Sequence, residues 1–398
     1  MRVCRQLAIL RSNKCKISMK KRTPIHAPHI DAARLRANVR SVRNINVRNV
    51  IPPVPKRFKK VKGEERIQEA FENIPRITNE TVAEHREHVL RGARKYKYPL
   101  AHSKHRIVII STALIVLAVV TFLVYSVLAL YKFQSSSAFV YRITQVLPFP
   151  AARAGSSFVS YENYLFELRR YEHYYQSQQQ VDFSSQLGKE QLNSYKPKAL
   201  DEVVQAAYVK QLAAQHHVRV TDADLNAELV SLQAQNQSSS QELADVTSKF
   251  FGWSIDDLKR ELKQELLAEK VAATLDTATQ TRATGVLAQL QGGADFATLA
   301  TQNSDATDKA TGGQYADTTI TPASTDVPPA VVRQLQTMQV GQVSGVIEAG
   351  NTLEIVKLTA NSDGKMQAAH ISFNLTPVST YVAQYEKTHP NHAYIKVQ

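Results

Sequence analysis

The chain has 398 residues, of which 43% are hydrophobic, and a formal net charge of +14 at pH 7. This length is enough for two or three domains. The charge is unevenly placed, because residues 1–106 carry 27 Lys and Arg against 8 Asp and Glu, whereas residues 107–398 carry 22 against 27. The basic character therefore belongs to the N-terminal tail, and the rest of the chain is mildly acidic.

The tail, residues 1–106, is predicted to be basic, cytoplasmic and largely disordered. Its first 62 residues are rich in Arg, Asn and Pro and show no sustained apolar period. No nucleic-acid recognition motif accompanies the positive charge, so no specific nucleic acid partner is expected.

A run of 25 uncharged residues, Ile107 to Tyr131, follows the tail. About 20 apolar helical residues cross the hydrocarbon core of a bilayer, so residues 107–131 are predicted to be a transmembrane helix. Basic residues crowd its N-terminal flank, which predicts a single-pass cell-membrane protein with a cytoplasmic N-terminus and an extracytoplasmic C-terminal domain. Both cysteines, Cys4 and Cys15, lie in the tail, so disulfides do not hold the exported part together.

A spacer is predicted at 132–145, and the segment 146–276 is predicted to be mostly helical. Aromatic and aliphatic residues recur there at helical spacing: Tyr161, Tyr164, Leu165, Leu168, Tyr171 and Tyr175. Such a stripe is either the buried face of a helix or a ligand site, and the buried face is the simpler interpretation. Helices are predicted at 159–176, 199–216, 222–235, 241–251 and 256–275, with Ser160, Thr221 and Ser254 as N-caps.

The pattern changes from residue 277 onward. Shorter helices are predicted at 279–291, 294–302 and 329–338, separated by a loop-rich stretch at 303–326. Three strand-like runs then follow: Gln342–Glu348, Leu353–Thr359 and Met366–Leu375, the last after a hairpin turn at Asp363-Gly364.

Several motifs in this second half resemble parvulin-type peptidyl-prolyl isomerases. The stretch GGADFATLATQNSDATDKATGGQY (292–315) is similar to the family's Gly-Ala-Asp-Phe, Ser-Asp and Gly-Gly series, and 327–347 and 352–358 resemble its later helix and strands. The resemblance implies a small domain at 277–398 with an antiparallel four-stranded sheet. The segment 146–276 resembles the helical chaperone domain that precedes such modules in SurA/PrsA-type foldases. The implied fold class is α+β.

The strand that normally opens a parvulin domain, roughly Ser-His-Ile-Leu, is missing before the first helix. The run AAHISF (368–373) resembles it but follows the last strand. One hypothesis is a circularly permuted domain, in which the C-terminus supplies the first strand; the alternative is degeneration of the module. Permutation requires that 366–375 pair with 352–359.

The resemblance also implies site residues, and the match is incomplete. His370 matches the first-strand histidine, and Ser304 and Asp305 match the Ser-Asp pair. Glu354 falls at the second histidine, and Ala306 falls where the family has Cys or Asp. The candidate catalytic residues are therefore His370, Asp305, Glu354 and Ser304, and the candidate proline-binding residues are Val327, Val331 and Met338. The simpler alternatives are a core histidine for His370 and a turn residue for Asp305.

The resemblance implies a membrane-anchored isomerase that assists the folding of exported proteins. Such catalysis needs no nucleophile, cofactor or metal, because the barrier of about 18–20 kcal/mol comes from amide resonance and falls when the twisted amide is bound preferentially. The partners implied are unfolded or proline-containing exported polypeptides, together with the membrane through 107–131. The alternative is a weakly active or inactive parvulin-like holdase or scaffold.

Overall fold

The computed structural model describes residues 78–97, 100–315 and 319–397, so most of the basic tail lies outside the described part. The chain divides into two units, one ending at Val120 and one beginning at Thr121. The elements are α1 Asn79–Lys97, α2 Leu100–Val127, α3 Ala138–Val146, β1 Pro150–Ala154, β2 Ser157–Ser160, α4 Tyr161–Gln179, α5 Gln186–Gln215, α6 Asp222–Asn236, α7 Ser240–Phe251, α8 Ile255–Leu275, α9 Thr277–Gln291, α10 Phe296–Asn303, α11 Pro329–Leu335, β3 Ile347–Ala349, β4 Thr352–Ser362, β5 Lys365–Asn374, α12 Val378–Thr388 and β6 Asn391–Ala393.

Helix α1 corrects the prediction of a largely disordered tail for the segment 79–97. Its side chains are exposed from residue 79 to residue 94, so core packing does not explain it. Glu80 lies in the first turn, and basic residues accumulate toward the C-terminal end. This order of charges complements the helix dipole and favours a helix in water.

Helix α2 contains the apolar run recognised in the sequence. A segment from Ile107 to Lys132 is long and apolar enough to cross a membrane, with a mean hydropathy of 3.0. From Ile107 to Val127 its apolar side chains are exposed on every side of the helix.

The predicted spacer 132–145 is wrong, because this stretch is folded into the C-terminal unit. After Val127 the chain continues as a π-helical turn, Leu128–Lys132, in which Leu130 is fully buried. The Tyr161 hydroxyl donates a hydrogen bond to the Leu130 carbonyl over 2.6 Å. Ser137 then caps helix α3, whose Val140 and Ile143 are buried.

Helices α4 to α8 and the β1–β2 hairpin form the helical domain. Tyr161, Tyr164, Leu165 and Leu168 of α4 are almost completely buried, which supports the interpretation of the tyrosine stripe as a core face. The predicted N-caps are present, since Ser160, Thr221 and Ser254 each accept a hydrogen bond from the third residue that follows.

The end of the chain returns to this domain. Strand β6 pairs antiparallel with β1, and the Tyr208 hydroxyl donates to the His389 carbonyl over 2.6 Å. Val382 and Ile395 are buried in the same core as α4 and α5. The segment 277–398, assigned to one parvulin-like domain by sequence, therefore contributes its last twenty or so residues to the helical domain.

A second sheet has the order β3-β4-β5 and is antiparallel throughout. The predicted turn at Asp363-Gly364 joins β4 to β5, with positive φ values of 51° and 78°. The expectation of four strands is wrong for the part of the chain that the structure covers. An irregular segment approaches the edge of β5 and forms isolated bridges with it at Gln314 and Ile320, without a continuous strand among the described residues.

Candidate functional site

The β4–β5 pairing brings His370 and Glu354 together. Val356 lies directly opposite His370, and Glu354 lies opposite Ser372, so His370 and Glu354 are diagonal neighbours on one face of the sheet. The Nδ1 atom of His370 lies 2.8 Å from Oε2 of Glu354. Both side chains are buried, with exposed fractions of 9% and 3%.

A second carboxylate completes this group. The Nε2 atom of His370 lies 2.9 Å from Oδ2 of Asp308. Asp308 stands in the loop after the Ser-Asp pair, just before the short 3-10 turn Lys309–Thr311. Sequence comparison did not select it, because the family pattern points to the position of Ala306 and nothing local marks a loop aspartate as a histidine partner.

The two carboxylates favour the protonated form of the imidazole. Burial alone lowers the pKa of His370, but the hydrogen bonds and negative charges of Glu354 and Asp308 outweigh it and raise that pKa above its ordinary value. A protonated ring carries a hydrogen on each nitrogen and can donate to both carboxylates at once.

Tyr315 covers the imidazole on one face. The two rings are stacked, with centroids 4.0 Å apart and planes 18° from parallel. The Tyr315 hydroxyl is buried without a hydrogen-bond partner among the described atoms, and burial raises its pKa well above the usual value.

Gly313 allows the loop to approach β5 closely. The His370 amide donates to the Gly313 carbonyl over 2.7 Å. A Cβ at Gly313 would lie 2.1 Å from the His370 carbonyl oxygen, and the residue has a φ of +74°. Only glycine satisfies both the contact and the conformation.

Ser304 and Asp305 do not join the histidine group. The Ser304 hydroxyl accepts hydrogen bonds from the amides of Ser372 and Ala306. The Asp305 carboxylate accepts from Arg282 over 3.0 Å and from the Asn374 amide over 2.9 Å. These contacts fasten the end of α10 to β5, which supports a structural role for the Ser-Asp pair.

The three candidate proline-binding residues lie in a packed core. Val327, Val331 and Met338 have exposed fractions of 1%, 0% and 6% and pack with side chains of β4 and β5. Contact with a proline ring would require this cluster to open, and such contact remains a prediction.

An open cleft lies instead between the helical domain and the second-sheet domain, with a volume of about 430 Å³. Helices α6 and α8 form one wall, and the start of α11 and the β3–β4 turn form the other. Apolar side chains line part of it: Leu262, Leu266, Val327, Pro328 and Pro329.

Acidic side chains line the rest of the cleft: Glu228, Glu265, Glu269, Asp326 and Glu348. Arg333, the only basic residue in the described lining, lies 3.5 Å from Glu228 and donates to the Ser231 hydroxyl. Burial raises the pKa of the Glu269 carboxyl, and the negative charge of Glu228 acts in the same direction. The cleft thus combines an apolar surface with an excess of negative charge.

Comparison with known proteins accounts for both domains. Residues 101–272 match the family described as the SurA-like N-terminal domain, and residues 262–360 match the PPIC-type PPIase domain. The chain joins a SurA-like N-terminal domain to a PPIC-type (parvulin) domain. The parvulin match ends at residue 360, before β5, so it does not include the strand that supplies His370.

Two curated relatives are both named Chaperone SurA. The protein from Thiobacillus denitrificans is 42% identical over 77 residues, which are 19% of this chain and 17% of the relative. The protein from Bordetella avium is 29% identical over 168 residues, 40% of this chain and 31% of the relative. The chain therefore aligns with less than a third of each relative.

Proposed function

We propose that this protein is a membrane-anchored, extracytoplasmic chaperone that binds unfolded segments of exported polypeptides in the cleft between its SurA-like and parvulin domains. The observation that carries the proposal is the cleft itself, which is apolar in part and accessible, whereas the candidate proline-binding residues are buried. The SurA-like and parvulin matches support a polypeptide as the ligand.

The location rests on the charges that flank the apolar helix. Six basic residues precede it within sixteen positions: Arg91, Arg94, Lys95, Lys97, Lys104 and Arg106. Only Lys132 and Arg142 follow within a similar distance. Positive residues remain on the cytoplasmic side, so the SurA-like and parvulin domains would face outward.

The chemistry of the cleft indicates which segments it would hold. Leu266 and the two prolines are partly exposed and offer apolar contact, which favours extended stretches with exposed hydrophobic side chains. The exposed carboxylates of Asp326 and Glu348 add attraction for Lys and Arg in the same stretch. We infer a preference for unfolded segments that carry both hydrophobic and basic side chains.

The test is suppression of client aggregation by the full chain in nanodiscs. The wild-type protein and a His370→Gln variant should delay aggregation of a basic unfolded client equally, and Leu266→Asp should lose the effect. The matched control is Leu187→Asp, at a side chain exposed on α5. If the wild-type protein delays aggregation of no client, or if Leu266→Asp retains full activity, the cleft is not the binding site.

A second candidate function is prolyl isomerisation at His370. The arrangement of Glu354, His370 and Asp308 under Tyr315 favours it, because an imidazolium could donate to the pyramidal nitrogen of a twisted prolyl amide, whose lone pair has left conjugation, if Asp308 moved aside. A protease-coupled assay with prolyl peptides separates the candidates. Activity in the wild-type protein that His370→Gln abolishes would support isomerisation, and a wild-type rate equal to background would reject it.

A further inference from the structure

Helix α3 carries apolar side chains on two adjacent sides, one buried and one exposed. Val140 and Ile143 are buried in the helical domain. Phe139 and Val146 point outward, with exposed fractions of 57% and 80%, and the exposed Arg142 lies between them. Residues three and seven positions apart share one side of a helix, so these three form a continuous exposed face. Packing within the domain does not explain why it is apolar.

The position of this face is fixed by a contact with α2. The rings of Phe139 and Tyr125 are neighbours, with centroids 6.4 Å apart, and Tyr125 belongs to the last turn of α2. Phe133, just after the π-helical turn, is also 68% exposed. Exposed aromatic rings are therefore grouped at the end of the apolar helix, where a span of about 30 Å that starts at Ile107 would leave the hydrocarbon core.

Hydrogen bonds hold α3 rigidly at that level. The Tyr131 hydroxyl donates to the Pro150 carbonyl over 2.7 Å. Arg169 donates to the Ser136 carbonyl, also over 2.7 Å. Because the chain between α2 and α3 is bound to the domain in this way, α3 is not free to swing away from the end of the apolar helix.

We propose that Phe133, Phe139, Arg142 and Val146 form a membrane-contacting face that lies in the headgroup region of the bilayer. The Phe and aliphatic side chains of an interfacial helix are buried at the boundary between headgroups and acyl chains, and an arginine there reaches lipid phosphates while its stem covers apolar surface. The face orients the cleft relative to the lipid surface, which a single flexible tether does not do. This inference rests on the proposed membrane location, and its test distinguishes failure of the membrane-contacting face from failure of the membrane location.

The experiment measures lipid contact at single labelled positions. Cys4 and Cys15 are replaced by Ser in the full chain, and one cysteine is introduced per variant for a fluorescent label: Val146→Cys on the face, Val116→Cys within the span and Val230→Cys on α6. Val230 is 64% exposed and is the matched control. Each protein is reconstituted in nanodiscs whose lipids carry a quencher near the headgroup or deep in the acyl chains.

The label at position 146 should be quenched several-fold more by the shallow quencher than the label at 230, and the label at 116 should respond to the deep quencher. Quenching at 116 with no excess at 146 over 230 overturns the membrane-contacting face and leaves the membrane location intact. No quenching at 116 overturns the location as well. A blue shift at 146 without lipid quenching assigns the face to protein contact, including a second copy of the chain, and overturns the proposal.

Discussion

The Nε2 atom of His370 lies 2.9 Å from Oδ2 of Asp308, a residue that no family motif in this sequence selects. This pair completes a line of three ionisable side chains, because Nδ1 of the same ring faces Glu354. The imidazole joins the loop after α10 to the middle of the β4–β5 sheet. The contact therefore couples the local structure of the domain to the protonation of one histidine.

The first prediction concerns the pH dependence of stability. The pKa of His370 is raised in the folded state, so protonation of this residue stabilises the fold. The stabilisation is complete below the ordinary histidine pKa of about 6.5 and is lost as the pH rises through the pKa of the folded state. Asp308→Asn should lower the free energy of unfolding by about 1–2 kcal/mol near pH 5.5, and by clearly less near pH 9. Denaturant titrations at both pH values measure the difference.

The control for this prediction is Asp326→Asn, because Asp326 is exposed in the cleft lining and makes no contact with the histidine. It should leave stability nearly unchanged at both pH values. An Asp308→Asn effect that is equal at low and high pH would contradict an imidazolium held between two carboxylates.

The second prediction treats the Ser-Asp pair as structural. Asp305→Asn weakens the contact with Arg282 and leaves a poorer acceptor for the Asn374 amide, so it should cost about 1–2 kcal/mol of stability. Chaperone activity per folded molecule should not change. If the variant has normal stability but has lost activity, Asp305 takes part in the functional site and its role is not structural.

The elements predicted correctly from sequence are those with local signals. Thr221 and Ser254 could be recognised as helix starts because an N-cap depends only on nearby residues: the side-chain hydroxyl accepts a hydrogen bond from the backbone amide three residues later. The Asp363-Gly364 turn likewise depends on two neighbouring residues. The β4–β5 pairing that a permuted domain requires is present, whereas permutation itself remains a hypothesis.

Apart from helix α1, whose charge order is local, the errors discussed next involve contacts distant in sequence. Helix α5 begins at Gln186, earlier than predicted, and contains Pro197 because tertiary packing outweighs the local cost of a proline. The Leu130 carbonyl is paired by Tyr161 and strand β6 pairs with β1, and neither partner is recognisable in its own segment. Asp308 belongs to the same class, since it becomes a site residue only when β5 is placed beside its loop.

The third prediction concerns the end of the apolar helix. Leu130 is fully buried in the core of the helical domain although it lies within the apolar run. Leu130→Ala should reduce the free energy of unfolding of that domain by about 2–5 kcal/mol, the usual cost of such a cavity. Leu187→Ala, at a leucine 76% exposed, is the control and should change stability by less than about 0.5 kcal/mol. Equal stabilities would show that residues before 132 serve only as an anchor.

The last prediction concerns the charge of the cleft. Asp326 and Glu348 are exposed in its lining and can be reversed without breaking a buried contact. Asp326→Lys with Glu348→Lys should weaken binding of a basic, apolar unfolded peptide by about 0.5–1 kcal/mol per reversed charge, or about two- to fivefold each. Binding of an acidic peptide with the same apolar residues should strengthen.

Fluorescence anisotropy with the full chain in nanodiscs measures both affinities at low and high salt. The difference between the two peptides should shrink as salt screens the exposed charges, and the apolar part of the affinity should remain. Glu190→Lys with Asp201→Lys, two exposed changes on α5 outside the cleft lining, supplies the matched control for net charge. If this control variant shifts the two affinities as much as the cleft variant does, attraction is a property of the whole surface, and selection by the cleft is ruled out.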